Sequence, residues 1–375
     1  MNAMRKTALI MAAGTGGHIY PGLAIAEVLV QRGWAISWLA TPAGMEHQLV
    51  GKVAFSDKIA IEVVQMSGVR SKGLLAWALL PLILLRAFWQ ALRVIRRVKP
   101  DVVISMGGYI AFPGGMMGVL CGKPLVVHEP GAHAGLTNRV LALIADRVLV
   151  GFPKTFEQVP KNPLAKLLPK PRQVEWLGTP VRSAIADLPE PSVRLAGREG
   201  PLRLLVVGGS LGAKTMNELV LRMLEILPYG ERPQVVHQSG ESHFDELMLA
   251  YREAKVAADV MPFIDDMAKR YAWCDLILCR SGAITVAEIA AAGLASILVP
   301  LPYFVAEEQE ANARFLADAN AGILVKQLET TPQMLAEQLK QLTRKKLLSM
   351  ATIARTLGKP DATARCARAC MELAT

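Results

Sequence analysis

TALIMAAGTGGHIYP, residues 7–21, reads as a short buried strand followed at once by a glycine-rich turn and a helix. The apolar run 7–13 has the length of a strand and is closed by Gly14, Gly16 and Gly17, and Pro21 is placed to open the helix. The same order returns about 195 residues later, where LRLLVV at 202–207 runs into Gly208-Gly209-Ser210-Leu211-Gly212. Further apolar runs follow the first at 35–40, 102–106 and 125–127, and the second at 234–238, 275–279 and 296–299. Longer helical stretches lie between them. Strands that alternate with helices build βαβ units on a parallel sheet. The predicted fold is therefore α/β, with two similar doubly wound domains.

Length and composition agree with that reading. The chain has 375 residues, a two-domain length. With 52% hydrophobic and 20% charged residues and a mean hydropathy of +0.31, it is not an intrinsically disordered chain. A Pro- and Lys-rich stretch at 160–201 marks a join, and an alanine-rich amphipathic helix runs from about Asp361 to the end. The expected domains are 1–178 and 179–354, with the last helix, about 355–375, packing back on the first. Five cysteines, at 121, 274, 279, 366 and 370, have no companion histidine cluster, so no metal site is expected. The N-terminus reads as a first strand rather than a signal peptide, which points to a reducing, cytoplasmic setting. Residues 1–180 hold 20 Lys and Arg against 9 Asp and Glu, a net of +11, whereas residues 181–375 are near neutral. That asymmetry fits a nucleic acid or an anionic membrane surface.

Polar residues gather at the predicted strand ends. Backbone N–H groups in the 14–17 turn, with the helix start behind them, make an anion site. The spacing is G-x-G-G, and no acid ends the second strand, so NAD binding is disfavoured. His18 follows the turn at a strand's carboxyl end, where ligands of doubly wound sheets bind. The second turn, 208–215, is one glycine short of a phosphate-binding loop before Lys214-Thr215, and the acid of the 275–279 strand stands at the wrong end for magnesium. Cys279-Arg280-Ser281-Gly282-Ala283 repeats the strand, small-residue turn and helix order, with Glu288 in the first turns. His128-Glu129 and the glycines around Tyr109 end two further strands. LLAWALLPLILLRAFWQALRVIRRVK, residues 74–99, is too short in its apolar run, and too interrupted by Pro81, to span a membrane. Its apolar half and its five basic residues suit either a buried helix or an interfacial surface, with Trp77, Leu79, Leu82 and Arg86 as contacts and Arg70 and Lys72 beside them.

In chain order, GTGGHIYPGLAIA, MGGYIAFPGG, HEPGAHAGLTNR, GTPVR, VVGGSLGA, FIDDM, CRSGAITVAEIAAAGL and EEQEANA resemble the MurG family of glycosyltransferases over nearly the whole sequence. The resemblance implies two facing Rossmann-like domains with an interdomain cleft, the GT-B arrangement. It also implies inverting transfer of N-acetylglucosamine from UDP-N-acetylglucosamine (UDP-GlcNAc) to the 4-hydroxyl of a lipid-linked muramyl-pentapeptide. The N-terminal domain would take the acceptor and the C-terminal domain the donor. By matching position, Thr15, Gly16 and Gly17 approach the donor diphosphate, and Arg182 and Ser210 contact the nucleotide. Ile264 faces the uracil, Ala283, Ile284, Thr285, Val286 and Ala287 line the diphosphate, Glu288 meets the ribose, and Gln309 the sugar. His18 is the expected base, with Glu129 second or as its orienting partner. The family pattern differs at Gly131, Thr179, Leu211 and Glu308, where it carries asparagine, asparagine, glutamine and histidine; Gly131 holds the position of a donor contact. No cofactor, metal or nucleic acid is implied, and the setting is the cytoplasmic face of the inner membrane. The alternatives are a P-loop-like nucleotide hydrolase and a non-catalytic membrane-associated UDP-sugar-binding protein of the same fold.

Overall fold

The computed structural model describes residues 5–14, 16–66, 79–160, 162–209, 213–302 and 306–374. Thr15, Arg70, Lys72, Trp77, Ser210 and Leu211 lie outside the described residues. The chain divides into two compact units, Met1–Arg182 with Asp361–Thr375, and Ser183–Pro360.

The first unit is built on seven parallel strands: β1 Thr7–Ala12, β2 Ala35–Ala40, β3 Ile59–Val63, β4 Val102–Gly107, β5 Leu125–Glu129, β6 Arg147–Val150 and β7 Glu175–Trp176. Their order is β3-β2-β1-β4-β5-β6-β7. β4 and β5 are buried throughout because helices cover both faces of a parallel sheet, which is why these strands read as continuous apolar runs. The chain steps outward from β1 to β3 and returns to place β4 beside β1. Where the strand order reverses, the carboxyl ends diverge and leave room for a ligand. The glycine turn at Gly14 and the Gly107-Gly108 turn both sit there.

The helix after β1 spans Gly16–Gln31, so Pro21 lies inside it rather than at its start. Pro21 removes one backbone hydrogen bond, the one that would reach the Gly17 carbonyl, and the helix continues past it. The final helix, Ala362–Leu373, packs its Cys366, Ala367 and Cys370 into the same core as Ile19, Leu23 and Ala26. It is tied further by Thr363 Oγ1, which accepts from Val181 N–H at 3.1 Å and donates to Val181 O at 2.8 Å. Because Val181 is held in this way, the first unit ends at Arg182, four residues beyond the expected limit of 178, and its last segment begins at Asp361 rather than near 355. Helix Leu80–Val98 carries Pro81 in its first turn, where a missing N–H costs nothing, so the proline opens the helix instead of interrupting it.

The second unit repeats the plan with β8 Arg203–Val207, β9 Gln234–Gln238, β10 Asp259–Met261, β11 Leu276–Cys279, β12 Ala295–Leu298 and β13 Gly322–Leu324, in the order β10-β9-β8-β11-β12-β13. One core joins Leu204 and Val206 of β8, Leu276 and Leu278 of β11, and Val220, Leu335 and Leu347 from the helices. The proline-rich approach to β8 is pinned by Arg198, whose guanidinium donates to the carbonyls of Ala272, Trp273 and Cys274 and to Asp275 at 2.6 Å.

Candidate functional site

In the first unit the site is assembled on the ends of β1, β4 and β5. Helix Gly16–Gln31 starts with Gly16, Gly17 and His18, whose N–H groups have no carbonyl one turn earlier to bond, and its first turn contains no acid. The positive end of the helix is therefore uncompensated. The half-buried His18 ring packs against the backbone of Gly107. Gly107 has φ +103°, and a Cβ built on it would lie 2.8 Å from His18 Cδ2 and 2.9 Å from Nε2. Only glycine combines that conformation with that approach. Burial holds the His18 pKa below the usual imidazole value and so favours the neutral ring, partly opposed by the Ala13 backbone.

Glu129 ends β5, and its carboxylate organises the loop that follows. It accepts from Gly131 N–H and Gly135 N–H, each at 3.1 Å, and from Asn138 Nδ2 at 3.0 Å. Asn138 Oδ1 in turn accepts from Ser105 Oγ of β4 at 3.1 Å, which locks the loop to the sheet. His128 takes a different partner: its Nε2–H donates to Gly178 O at 3.0 Å, and burial lowers its pKa to about 4. Thr179 Oγ1 donates to Pro130 O at 3.2 Å, and Thr155 Oγ1 to Gly131 O at 3.1 Å. Thr179 therefore supports the backbone beside Gly131. Arg182 stands with its guanidinium carbon 5.4 Å from the centre of the Tyr20 ring, and so belongs to this unit rather than the second.

In the second unit, helix Ala283–Ala292 rises from β11. Gly282, Ala283, Ile284, Thr285 and Ala287 are partly accessible, while Val286 is fully buried and its N–H already donates to Gly282 O. Val286, expected in the lining, has its N–H engaged because the fourth residue of a helix closes the first backbone hydrogen bond. The turn below is held by Asn312 Nδ2, which donates to Ser281 O at 3.1 Å. Glu288 lies one turn into the helix, 5% exposed, and its Oε2 accepts from the Tyr271 hydroxyl at 3.2 Å. Gln309 Oε1 is engaged by Leu301 N–H at 2.9 Å. The buried Arg280 donates to the carbonyls of Val299 and Pro300 and to Gln327, and burial lowers its pKa to about 10. Lys214, the lysine of the loop that resembles a P-loop, forms an exposed ion pair with Glu246 at 2.6 Å.

Two family models match this arrangement: the glycosyltransferase family 28 N-terminal domain over residues 8–150, and the family 28 C-terminal domain over residues 203–366. The chain belongs to glycosyltransferase family 28. Among its relatives is the UDP-N-acetylglucosamine–N-acetylmuramyl-(pentapeptide) pyrophosphoryl-undecaprenol N-acetylglucosamine transferase of Paracidovorax citrulli, 52% identical over 368 residues and covered, like this chain, to 98%. The protein of the same name from Cupriavidus necator is 50% identical over 369 residues, again 98% of each chain. A crystal structure of Acinetobacter baumannii MurG superposes with a TM-score of 0.82 at 37% identity, covering 98% of this chain and 99% of that one. The family 28 fold is the GT-B glycosyltransferase fold. In this family 28 chain, Asn138, Tyr271 and Gln238 escaped the motif reading. Asn138 lies inside a quoted motif and Gln238 ends a predicted strand, and both positions were the available signals.

Proposed function

We propose that this chain is a hexosyltransferase of peptidoglycan synthesis, moving N-acetylglucosamine from UDP-GlcNAc to the 4-hydroxyl of undecaprenyl-diphospho-N-acetylmuramoyl-pentapeptide with inversion. The observation that carries this is identity of 52% across nearly the full length to an enzyme named for that transfer. The attacking alcohol must lose a proton, and the neutral imidazole of His18 is suited to accept it. Glu129 serves by holding the 129–138 loop, since its carboxylate is engaged by three N–H donors. Amides at Gly16 and Gly17 attract phosphate charge. The departing UDP is stabilised by the free N–H groups of Ala283, Ile284 and Thr285, with Ala287 beside them. Glu288 receives the ribose hydroxyls, Ile264 meets the uracil, Arg182 contacts the nucleotide and Gln309 binds the sugar.

The acceptor's sugar stands next to a diphosphate at a bilayer surface, so the enzyme must reach it there. Helix Leu80–Val98 supports this. Ala87, Ala91, Val94 and Ile95 face inward, while Leu82, Leu85 and Trp89 are 65%, 68% and 55% exposed. Leu79, Arg86 and Arg93 are exposed as well, and the Arg93 guanidinium carbon lies 4.5 Å from the Trp89 ring centre. An exposed apolar stripe edged by arginine suits the headgroup region of an anionic membrane. No helix among the described residues is long and apolar enough to cross a membrane. The reading is peripheral attachment at the cytoplasmic face of the inner membrane. Purified protein with UDP-GlcNAc and the lipid-linked acceptor should yield β-linked disaccharide-lipid and UDP. Release of UDP that does not depend on the acceptor would mark a hydrolase instead.

A further inference from the structure

Gln238 is the last residue of β9, the strand that lies between β8 and β10. In register it stands beside Val207 of β8 and Met261 of β10. Those two strands lead into different loops, Gly208-Gly209 on one side and Pro262-Phe263-Ile264 on the other. Beyond the strand ends no sheet ladder spaces the two loops. The Gln238 side chain does so, and it is 2% exposed. Its Nε2 donates to Gly209 O at 3.0 Å, and its Oε1 accepts from Ile264 N–H at 3.0 Å. The partners settle the amide's orientation, because a carbonyl can only accept and an N–H can only donate. Gly209 has φ +93°, a conformation that side-chain-bearing residues rarely hold.

The neighbours of Gln238 make the same bridge stiff. Ser239 Oγ donates to Met261 O at 3.1 Å, and Asn217 Nδ2 donates to Ser239 O at 3.0 Å. His237 Nε2–H donates to Asn217 Oδ1 at 3.1 Å, and its Nδ1 accepts from the Tyr251 hydroxyl at 2.9 Å. Every polar group in this buried row has a partner, and a fully satisfied network specifies one arrangement.

We propose that Gln238 is a positioning residue that couples the Gly208-Gly209 turn, read here as a phosphate-side edge of the donor site beside the start of helix Ala283–Ala292, to the Ile264 loop, and thereby sets the spacing between the diphosphate and uracil subsites, favouring a uridine diphosphate donor. This rests on reading the second unit as the donor site. A side chain that both donates and accepts is needed: glutamate keeps the acceptor for Ile264 N–H alone, and methionine fills the volume with neither.

The full-length enzyme is assayed with uridine and UDP as competitors of UDP-GlcNAc. Gln238→Met should raise the KM for UDP-GlcNAc and the inhibition constants of both competitors about tenfold, the loss of roughly one to two hydrogen bonds, while kcat changes less than about threefold. Gln238→Glu should keep the uridine constant within about twofold of wild type and weaken UDP. A packing role would spare uridine in the methionine variant and would not produce that rescue. If wild type is inhibited normally and Gln238→Met matches it, the coupling is overturned. If UDP does not compete in wild type, the donor-site reading falls and the proposal with it. Should Gln238→Met not fold, hydrogen exchange of wild type decides: the Ile264 amide must exchange as slowly as β9 amides, and rapid exchange there overturns the proposal.

Discussion

Gly107→Ala puts the smallest side chain where the structure leaves no room for one. Its effect divides into two parts. The backbone at φ +103° disfavours an L-residue by about 1–2 kcal/mol. For a unit of this size that lowers the melting temperature by roughly 2–8 °C. The second part is steric and local. The new Cβ would stand 2.8 Å from His18 Cδ2, 2.9 Å from Nε2 and 3.3 Å from Asn138 Nδ2. Ordinary carbon contacts are about 3.5–4.0 Å, so the imidazole must retreat by about 1 Å. A displacement of that size in a proton-accepting group costs up to about 100-fold in rate. Replacing His18 itself by alanine should cost about 100- to 10,000-fold. Gly107→Ala therefore should lower kcat on the lipid-linked acceptor at least tenfold at temperatures where the protein remains folded. In the double variant, Gly107→Ala with His18→Ala, the ring that collides is gone, and kcat should match His18→Ala alone. Near-normal turnover of Gly107→Ala, or losses that multiply in the double variant, would refute the placement of His18 as the base.

Glu288→Ala should weaken UDP binding by about 1.5–3 kcal/mol in a calorimetric titration, as expected for a charge-assisted hydrogen bond; equal affinities would make Glu288 a purely structural partner of Tyr271. His128 is held at about 4, below its ordinary 6.5, so the unfolded chain takes up its proton first. Its contribution is complete above pH 6.5 and is lost as pH falls toward 4, on the order of 3 kcal/mol. His128→Gln should flatten the melting curve against pH in that window, and an unchanged slope would exclude the assignment. Leu82→Ser, Leu85→Ser and Trp89→Gln together should release the protein from anionic vesicles with little loss of stability, because all three side chains are mostly exposed. Continued sedimentation with vesicles at moderate salt would move the contact elsewhere.

Much of the fold was legible because its rules are local. Strands buried on both faces must be short apolar runs, and helices must begin after turns that glycine can make, so the positions of β1, β2, β4, β5, β8, β9, β11 and β12 stand in the sequence itself. The two prolines were misread in opposite senses. Pro21, placed to open its helix, lies inside it, and Pro81, read as an interruption, stands in a first turn, because a proline is compatible with either position and does not by itself set where a helix begins. The basic, apolar stretch before Lys99 showed its composition but not its phase. Only the burial of Ala87, Ala91, Val94 and Ile95 within the first unit decides that Leu82, Leu85 and Trp89 face outward.

His18 and Glu129 were visible as polar residues at or just after the carboxyl ends of strands, where chain topology sends ligands, and Glu288 as an acid in the first turns of the helix after β11. Their working partners were not. The Glu129 carboxylate bonds Asn138, the Glu288 carboxylate bonds Tyr271, and Gln238 bonds Gly209 and Ile264, each pair joining different elements that the folded unit brings together. A sequence determines which residue types reach a strand end. Which hydrogen bonds they make there depends on distances of about 3 Å between residues far apart in the chain, and packing alone sets those distances.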